Sequence, residues 1–369
     1  MAIPISLEDW RAGGETFGYR GHEIFYRTGG DWADAGKPAL VLIHGFPTAS
    51  WDWAHQWEAL CERYRVAALD MIGFGFSAKP PAYDYSIMDQ ADLHETFLDR
   101  LGVEACHILA HDYGDTVAQE LLARHIERGA AAGAQILSVC FLNGGLFPEQ
   151  HRATFTQRLL HSPLGPVLSR AMTRARFETG FCEVFGPDTR PEAGELDAFW
   201  TMMNTNGSLK RIGHKLIRYI AERREHRERW VGALQQSPVP LRVIGGALDP
   251  VSGAHMVAHY QKLVPDPDTV LLPHVGHYPS WRPPQRFLTP SSISSPLLRR
   301  PDDRSGATAD HRRNHLGGDG SWRSAGTRSY AAHLCLTAQA RRAASKTSPS
   351  PRAASPRAAT GSSLSTPQT

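Results

Sequence analysis

The chain has 369 residues, 41% of them apolar, enough to bury the core of one large domain or two ordinary ones. No apolar run is long enough to span a bilayer, and Met1 to Trp10 lacks the basic-then-apolar layout of a secretory leader, so no membrane partner is expected and a reducing cytosol is the default compartment. The 5 cysteines show no CxxC spacing, which argues against a zinc site or a disulfide framework, and the net charge of +3 hides an asymmetry: 12 basic against 4 acidic residues from Ser291 onward leave the body near −5, without a nucleic-acid signature.

Residues Glu15 to Arg27 alternate as a hairpin does. Pro38 to Ile43 is a continuous apolar run, the mark of a strand buried on both faces, and it ends in the turn signal His44-Gly45-Phe46-Pro47. A helical pattern from Trp51 to Arg63 leads to a second such strand, Tyr64 to Asp70, closed by Gly73-Phe74-Gly75-Phe76-Ser77. A helix over Ile87 to Leu101 and strands over Ala105 to Ala110 and Ala134 to Leu142 continue the alternation. From about Pro148 to Gln235 the rhythm breaks into a stretch rich in Arg, Phe, Trp and Met, helical around Tyr219 to Arg224. It resumes with a strand over Val239 to Gly246, Leu248-Asp249-Pro250, a helix over Ala254 to Leu263, a short strand over Thr269 to Leu272, and Pro273 to Pro279.

Such alternation predicts an α/β fold with a mostly parallel sheet covered by helices on both faces. Chemistry in such sheets gathers at the carboxyl ends of the strands, where His44, Asp70, Asp112 and Asn143 fall. At Asp112 the small residues Ala110 and Gly114 flank a polar residue between a buried strand and the helical pattern Thr116 to Leu122. This is the small-x-nucleophile-x-small layout of a strand-to-helix elbow, with Asp where Ser is usual. A carboxylate there would face free helix N–H groups that keep it ionised. Asp also caps helices for purely structural reasons, and this stretch alone leaves both readings open.

Taken in order, HGFPTASWDW, LDMIGFGFSAKP, HDYGDTVAQELL, NGGLFPE, VFGPDTRP, RERWVGAL and LDPV resemble the α/β-hydrolase fold, from about Gly18 to Pro284. Within it they resemble the Asp-nucleophile branch of epoxide hydrolases and haloalkane dehalogenases, and the mesoderm-specific transcript protein group in particular. The resemblance implies a nucleophile, acid and base at Asp112, Asp249 and His277, with His274 a nearby competitor for the base. It implies an oxyanion hole from the backbone N–H groups of Phe46 and Tyr113. No GxSxG occurs in the chain, which argues against a serine esterase. The implied organisation is a hydrolase core over 1–147 and 236–288, a helical cap over 148–235, and a basic tail over 289–369.

The leaving group separates the two substrate classes. A departing halide needs side-chain N–H donors, which in dehalogenases look to be a Trp after the nucleophile and an Asn after His-Gly; here Tyr113 and Phe46 stand there. An epoxide oxygen needs an acid, for which Tyr219 is the candidate; it could equally be a packing tyrosine. His44 and Trp230 are further substrate or cap candidates, Trp230 also reading as an apolar anchor between cap and core, with Arg229 part of the same pattern. Asp115 reads as a helix-start acid, and Asp70 and Ser77 as structural. The expected partner is a small-molecule substrate; no cofactor or metal is expected, and the oligomeric state is not legible. A dehalogenase and a non-catalytic protein of the same fold are the alternatives. The tail is dominated by Arg, Ser, Ala, Pro and Gly, with SPRAASPRAA near its end, a composition that cannot bury enough apolar surface to fold. It is expected to be either a disordered basic tail or an out-of-frame reading, begun near Trp281, of a final amphipathic helix.

Overall fold

The computed structural model describes residues 3–129, 133–187 and 189–281. The expectations for the tail, and for core residues 282–288, lie outside the described residues. Those described belong to one compact unit.

A short helix, α1 (Leu7–Ala12), capped by Ser6, precedes the hairpin β1 (Glu15–Tyr19) and β2 (His22–Gly29). The strands β3 (Ala39–Ile43), β4 (Arg65–Leu69), β5 (Ala105–His111) and β6 (Gln135–Leu142) follow, and β7 (Leu241–Gly246) and β8 (Asp268–Leu272) close the sheet. The order across its eight strands is β1-β2-β4-β3-β5-β6-β7-β8, antiparallel at β1 and β2 and parallel from β4 to β8.

Successive side chains of a strand point to opposite faces. Here Val41 and Ile43 join one apolar cluster while Leu40 and Leu42 join the other. Ile108 and Ala110 part from Leu109 in the same way, as do Val139 and Phe141 from Cys140 and Leu142. Continuous apolar runs are therefore what a sheet buried on both faces requires. The helix α3 (Ile87–Arg100) starts at Ser86, whose hydroxyl accepts from the Asp89 N–H. The single helix expected over Trp51 to Arg63 is instead a 3-10 turn (Ser50–Trp53) followed by α2 (Trp57–Cys61). Trp51 and Trp53 are both fully buried, and residues two apart cannot share one face of an α-helix.

The helix α4 (Tyr113–Arg128) leaves β5 with only Asp112 between them. Among the described residues, seven helices run between β6 and β7: α5 (Phe155–Leu160), α6 (Gly165–Arg170), α7 (Arg174–Cys182), α8 (Ala193–Met203), α9 (Leu209–Leu216), α10 (Tyr219–Glu225) and α11 (Arg227–Gln235). The helix α12 (Ala254–Leu263) joins β7 to β8. The sequence marked the stretch between β6 and β7 as helical but singled out only the helix at Tyr219, because most of these helices span fewer than ten residues.

Candidate active site

Asp112 has φ 48 and ψ −103, a conformation an L residue rarely adopts, and it makes no side-chain cap to α4. The side chain therefore does not cap the helix, and the backbone is strained at this turn. Gly114 permits the turn: a Cβ there would lie 2.5 Å from the Ile43 carbonyl oxygen. The Phe46 N–H, in the loop after β3, donates to Asp112 Oδ2 at 3.1 Å. Tyr113 is the first residue of α4, so its N–H has no acceptor within the helix.

His277 lies with Nε2 3.8 Å from Asp112 Oδ1 and Nδ1 2.8 Å from Asp249 Oδ2. Asp249 is held after β7 by the N–H groups of Val251 and Ser252, the Ser252 hydroxyl and the Asn143 amide at 2.8 to 3.1 Å. Asn143 also accepts from the Gly246 N–H, so the end of β6 fixes the acid on the end of β7. His274 is exposed and His277 buried, which separates the two histidines. Gly276 is needed for close approach: a Cβ there would lie 2.3 Å from the Val184 carbonyl, the group that accepts the His277 N–H at 2.8 Å.

Burial pushes the Asp112 carboxyl up, but the His277 imidazolium beside it, with Arg223, outweighs this and holds the group well below the usual carboxylate range. Burial likewise pushes His277 down, and Asp249 together with Asp112 lifts it to about 10. In this state the base carries a proton. Asp115 stands in the first turn of α4, as expected of a helix-start acid, and it is fully buried there: its Oδ1 accepts weakly from the Leu142 N–H at 3.4 Å, and Oδ2 has no hydrogen-bond partner. Burial, then repulsion from Asp112, pushes its carboxyl well up, the opposite direction from Asp112.

Tyr219, the first residue of α10, is buried with its ring 5.0 Å from that of Tyr113 and 6.1 Å from that of Phe46. Gln157 decides where its proton can go. The Gln157 Oε1 accepts from the Thr154 N–H in a capping box, which turns Nε2 toward Tyr219 Oη at 3.4 Å. The phenol oxygen accepts from the amide, so its own hydrogen is free to donate. Tyr278 differs, because its hydroxyl hydrogen is directed to the Phe46 carbonyl at 3.4 Å.

Two expectations are corrected. His44 was a substrate candidate, but both ring nitrogens serve backbone: Nδ1 bonds the Gly45 carbonyl at 2.9 Å and Nε2 accepts from the Met71 N–H at 3.0 Å. Burial holds it at about 4, so a neutral ring braces two loops. Trp230 is no substrate contact either. Its Nε1 donates to Glu120 Oε2 at 2.8 Å, and Arg229 and Arg124 bind the same buried carboxylate, tying α11 to α4. Asp70 and Ser77 are structural, as expected: Asp70 accepts from the Ser50 and Phe76 N–H groups, and Ser77 binds the Asp70 carbonyl. Sequence reasoning missed Arg223, which lies against Asp112, and the bracing roles of Asn143, Ser252 and Gln157. The one available signal for Arg223 was its place four residues after Tyr219 on a helical pattern.

A strained elbow and carboxylate and imidazole groups at the ends of parallel strands define an α/β hydrolase fold. Residues 38–284 match the family described as alpha/beta hydrolase fold, and the chain belongs to it. It is 41% identical over 292 residues to the mesoderm-specific transcript protein of Mus musculus, covering 77% of this chain and 86% of that one. A shorter match, 33% identical over 132 residues, relates 35% of this chain to 33% of epoxide hydrolase 4 of Mus musculus. The solved structure of the epoxide hydrolase CorEH without ligand shares the fold, with a TM-score of 0.60 or better (0.63), 19% identity, and coverage of 77% of this chain and 99% of that one. Among the described residues no helix is long and apolar enough to cross a membrane, and no cluster of three or more His, Cys, Asp or Glu could hold a metal.

Proposed function

We propose that the protein is a hydrolase that opens an epoxide, or a similar small apolar electrophile, through an ester on Asp112. The observation that carries this reading is the strained Asp112 held between the Phe46 N–H at 3.1 Å and His277 Nε2 at 3.8 Å, with Asp249 behind the imidazole at 2.8 Å. In the first step an Asp112 oxygen attacks a ring carbon and the carbon–oxygen bond breaks. The electron pair goes to the ring oxygen, which takes the Tyr219 proton. Tyr219 suits this task because its hydrogen is free.

Ester formation removes the Asp112 charge, and with it part of what keeps His277 protonated. The imidazolium returns a proton to the Tyr219 phenolate and becomes the base, oriented by Asp249. It then takes a proton from water as the oxygen attacks Asp112 Cγ. The Phe46 and Tyr113 N–H groups stabilise the oxyanion formed there. Collapse expels the diol oxygen, which takes the carboxyl proton and leaves the Asp112 carboxylate facing an imidazolium, as at the start. Residues 148–235 act as a cap, and three of their groups support this: Tyr219, the guanidinium of Arg223, and the Val184 carbonyl on the base loop.

The test is intact mass after incubating His277→Gln with a panel of epoxides and haloalkanes. Without the base the ester accumulates, and an epoxide adds its whole mass whereas a haloalkane adds only its alkyl group. Asp112→Asn removes the adduct. No adduct with any member of the panel, in a variant shown to be folded, would overturn the nucleophile assignment, and adducts from haloalkanes alone would transfer the reading to dehalogenation.

A further inference from the structure

The steps above leave one buried charge unassigned. Arg223, on the inner face of α10, is 2% exposed, and its guanidinium is fixed on several sides. Nε donates to Thr116 Oγ1 at 2.7 Å, and Nη2 donates to the backbone carbonyl of Asp112 at 3.0 Å. Nη1 meets His151 Nδ1 at 3.4 Å, and the guanidinium lies over the Tyr219 ring, 4.5 Å from its centroid. The pocket is shaped for this group, since a Cβ on Gly145 would come within 2.1 Å of Nη1.

Two features of this geometry matter. Asp112 and Thr116 are four residues apart, so one guanidinium spans the whole first turn of α4 from the strained residue onward. The hydrogen bond goes to the Asp112 carbonyl, while the nearest carboxylate oxygen, Oδ1, is 3.9 Å away. The charge is therefore close enough to favour the carboxylate, yet no N–H occupies the oxygen that attacks. A fork closed directly on the carboxylate would have neutralised the nucleophile and blocked it.

We propose that Arg223 is a positioning residue for the nucleophile: it pins the strained elbow through the Asp112 carbonyl and keeps the carboxylate ionised without covering it. The proposal rests on the nucleophile reading of Asp112. The same cation on the face of Tyr219 favours loss of the phenol proton, so a single charge on α10 supports both the attacking group and the acid. Asp112 is faced from other elements by His277 and Tyr278 after β8, Asp249 after β7, His111 on β5, His44 after β3, Asp52 in the 3-10 turn and Asp115 on α4. Burial pushes Asp52 and Asp115 up and holds His44 and His111 down at about 4, and His277 and Arg223 are the cations that lie against Asp112.

The test has two readouts. The first is the acid midpoint of the Asp112 carboxyl, followed by carbon-13 NMR of labelled aspartate. The second is the rate of Asp112 ester formation from an epoxide such as styrene oxide, in the His277→Gln background. Arg223→Met and Arg223→Gln are expected to raise the midpoint by about 1–3 units, the usual effect of losing an opposite charge at this range. Arg223→Lys is expected to keep the midpoint low while slowing ester formation roughly tenfold, because an ammonium supplies the charge without the fork. Thr116→Val, which keeps the charge and removes one anchor, is expected to slow ester formation a few-fold with the midpoint unmoved. An unmoved midpoint in both neutral variants overturns the proposal, as does ester formation at the parent rate in Arg223→Lys and Thr116→Val. Should neither neutral variant fold, those two rates decide. A midpoint that moves while no variant forms an ester sustains the role in ionisation and overturns the epoxide reading; an ester with an unmoved midpoint does the reverse.

Discussion

Replacing Asp115 with Asn is expected to stabilise the protein at neutral pH. The residue is fully buried, its Oδ2 has no hydrogen-bond partner, and a Cβ on Gly144 would lie 2.1 Å from that oxygen, so no space is left for a compensating group. Burial and Asp112 push its carboxyl well above the ordinary value, so the fold favours its protonated form over the ionised one. A group whose folded pKa is raised contributes fully below its unfolded value, near 4, and that contribution is lost as the pH rises. The loss is about 1.4 kcal/mol for each pH unit between the unfolded and the folded value. Asn has the same shape and does not titrate. Asp115→Asn should therefore match the parent protein near pH 4 and gain on it in unfolding free energy as the pH rises to 7, measured by urea denaturation at both pH values. A difference independent of pH, or a variant less stable at pH 7, would mean that Asp115 is ionised in the fold and that the charge balance of the site is wrong.

Three further outcomes follow from the same geometry. Tyr219→Phe should slow ester formation by about 10²-fold or more, because the acid for the leaving oxygen is lost, with single-turnover mass spectrometry as the readout. His277, lifted to about 10, should contribute its ion-pair stabilisation fully below about 6.5 and lose it as the pH climbs through 10; the stability gap between the parent and His277→Gln should close over that window in denaturation curves. Glu120→Ala should destabilise the fold by about 1–3 kcal/mol, since it removes the buried acceptor of the Trp230 Nε1–H while Arg124 keeps Asp92 and Glu95 and Arg229 keeps Glu127, and no measurable loss would show the indole N–H finding water instead.

The parts of the site carried by the sheet were legible in the sequence for a physical reason. A parallel strand buried on both faces must be a continuous apolar run, and it must stop where the chain turns. Asp112, Asn143 and Asp249 each stand at such a stop, with Gly114 and Gly276 marking the close approaches the turns require. The helices between β6 and β7 offer no such marks. Tyr219 was found through resemblance, and nothing local to it showed that Gln157, turned by its own capping box 62 residues earlier, frees its hydrogen. His44 and Trp230 went the other way: each sat in a suggestive motif, but their ring nitrogens are taken by the Gly45 carbonyl and Met71 N–H and by Glu120. A motif gives a residue's place along the chain, and hydrogen-bond satisfaction inside the fold decides which atoms remain available.

That distinction bears on how the site is held together. In the proposed chemistry the nucleophile Asp112, the base His277 and its partner Asp249 come from strand ends and the acid Tyr219 from α10, and each half is tied to the helices between β6 and β7. The base loop hangs on the Val184 carbonyl, the elbow carbonyl on Arg223, and the acid's free proton on Gln157. None of these three ties supplies an atom to the product. All three fix orientation, and misplacing a reacting group by about 1 Å can cost on the order of 10²-fold in rate. The helical segment is therefore more than a wall around a pocket: its hydrogen bonds to the strand ends determine which way the carboxylate, imidazole and phenol face.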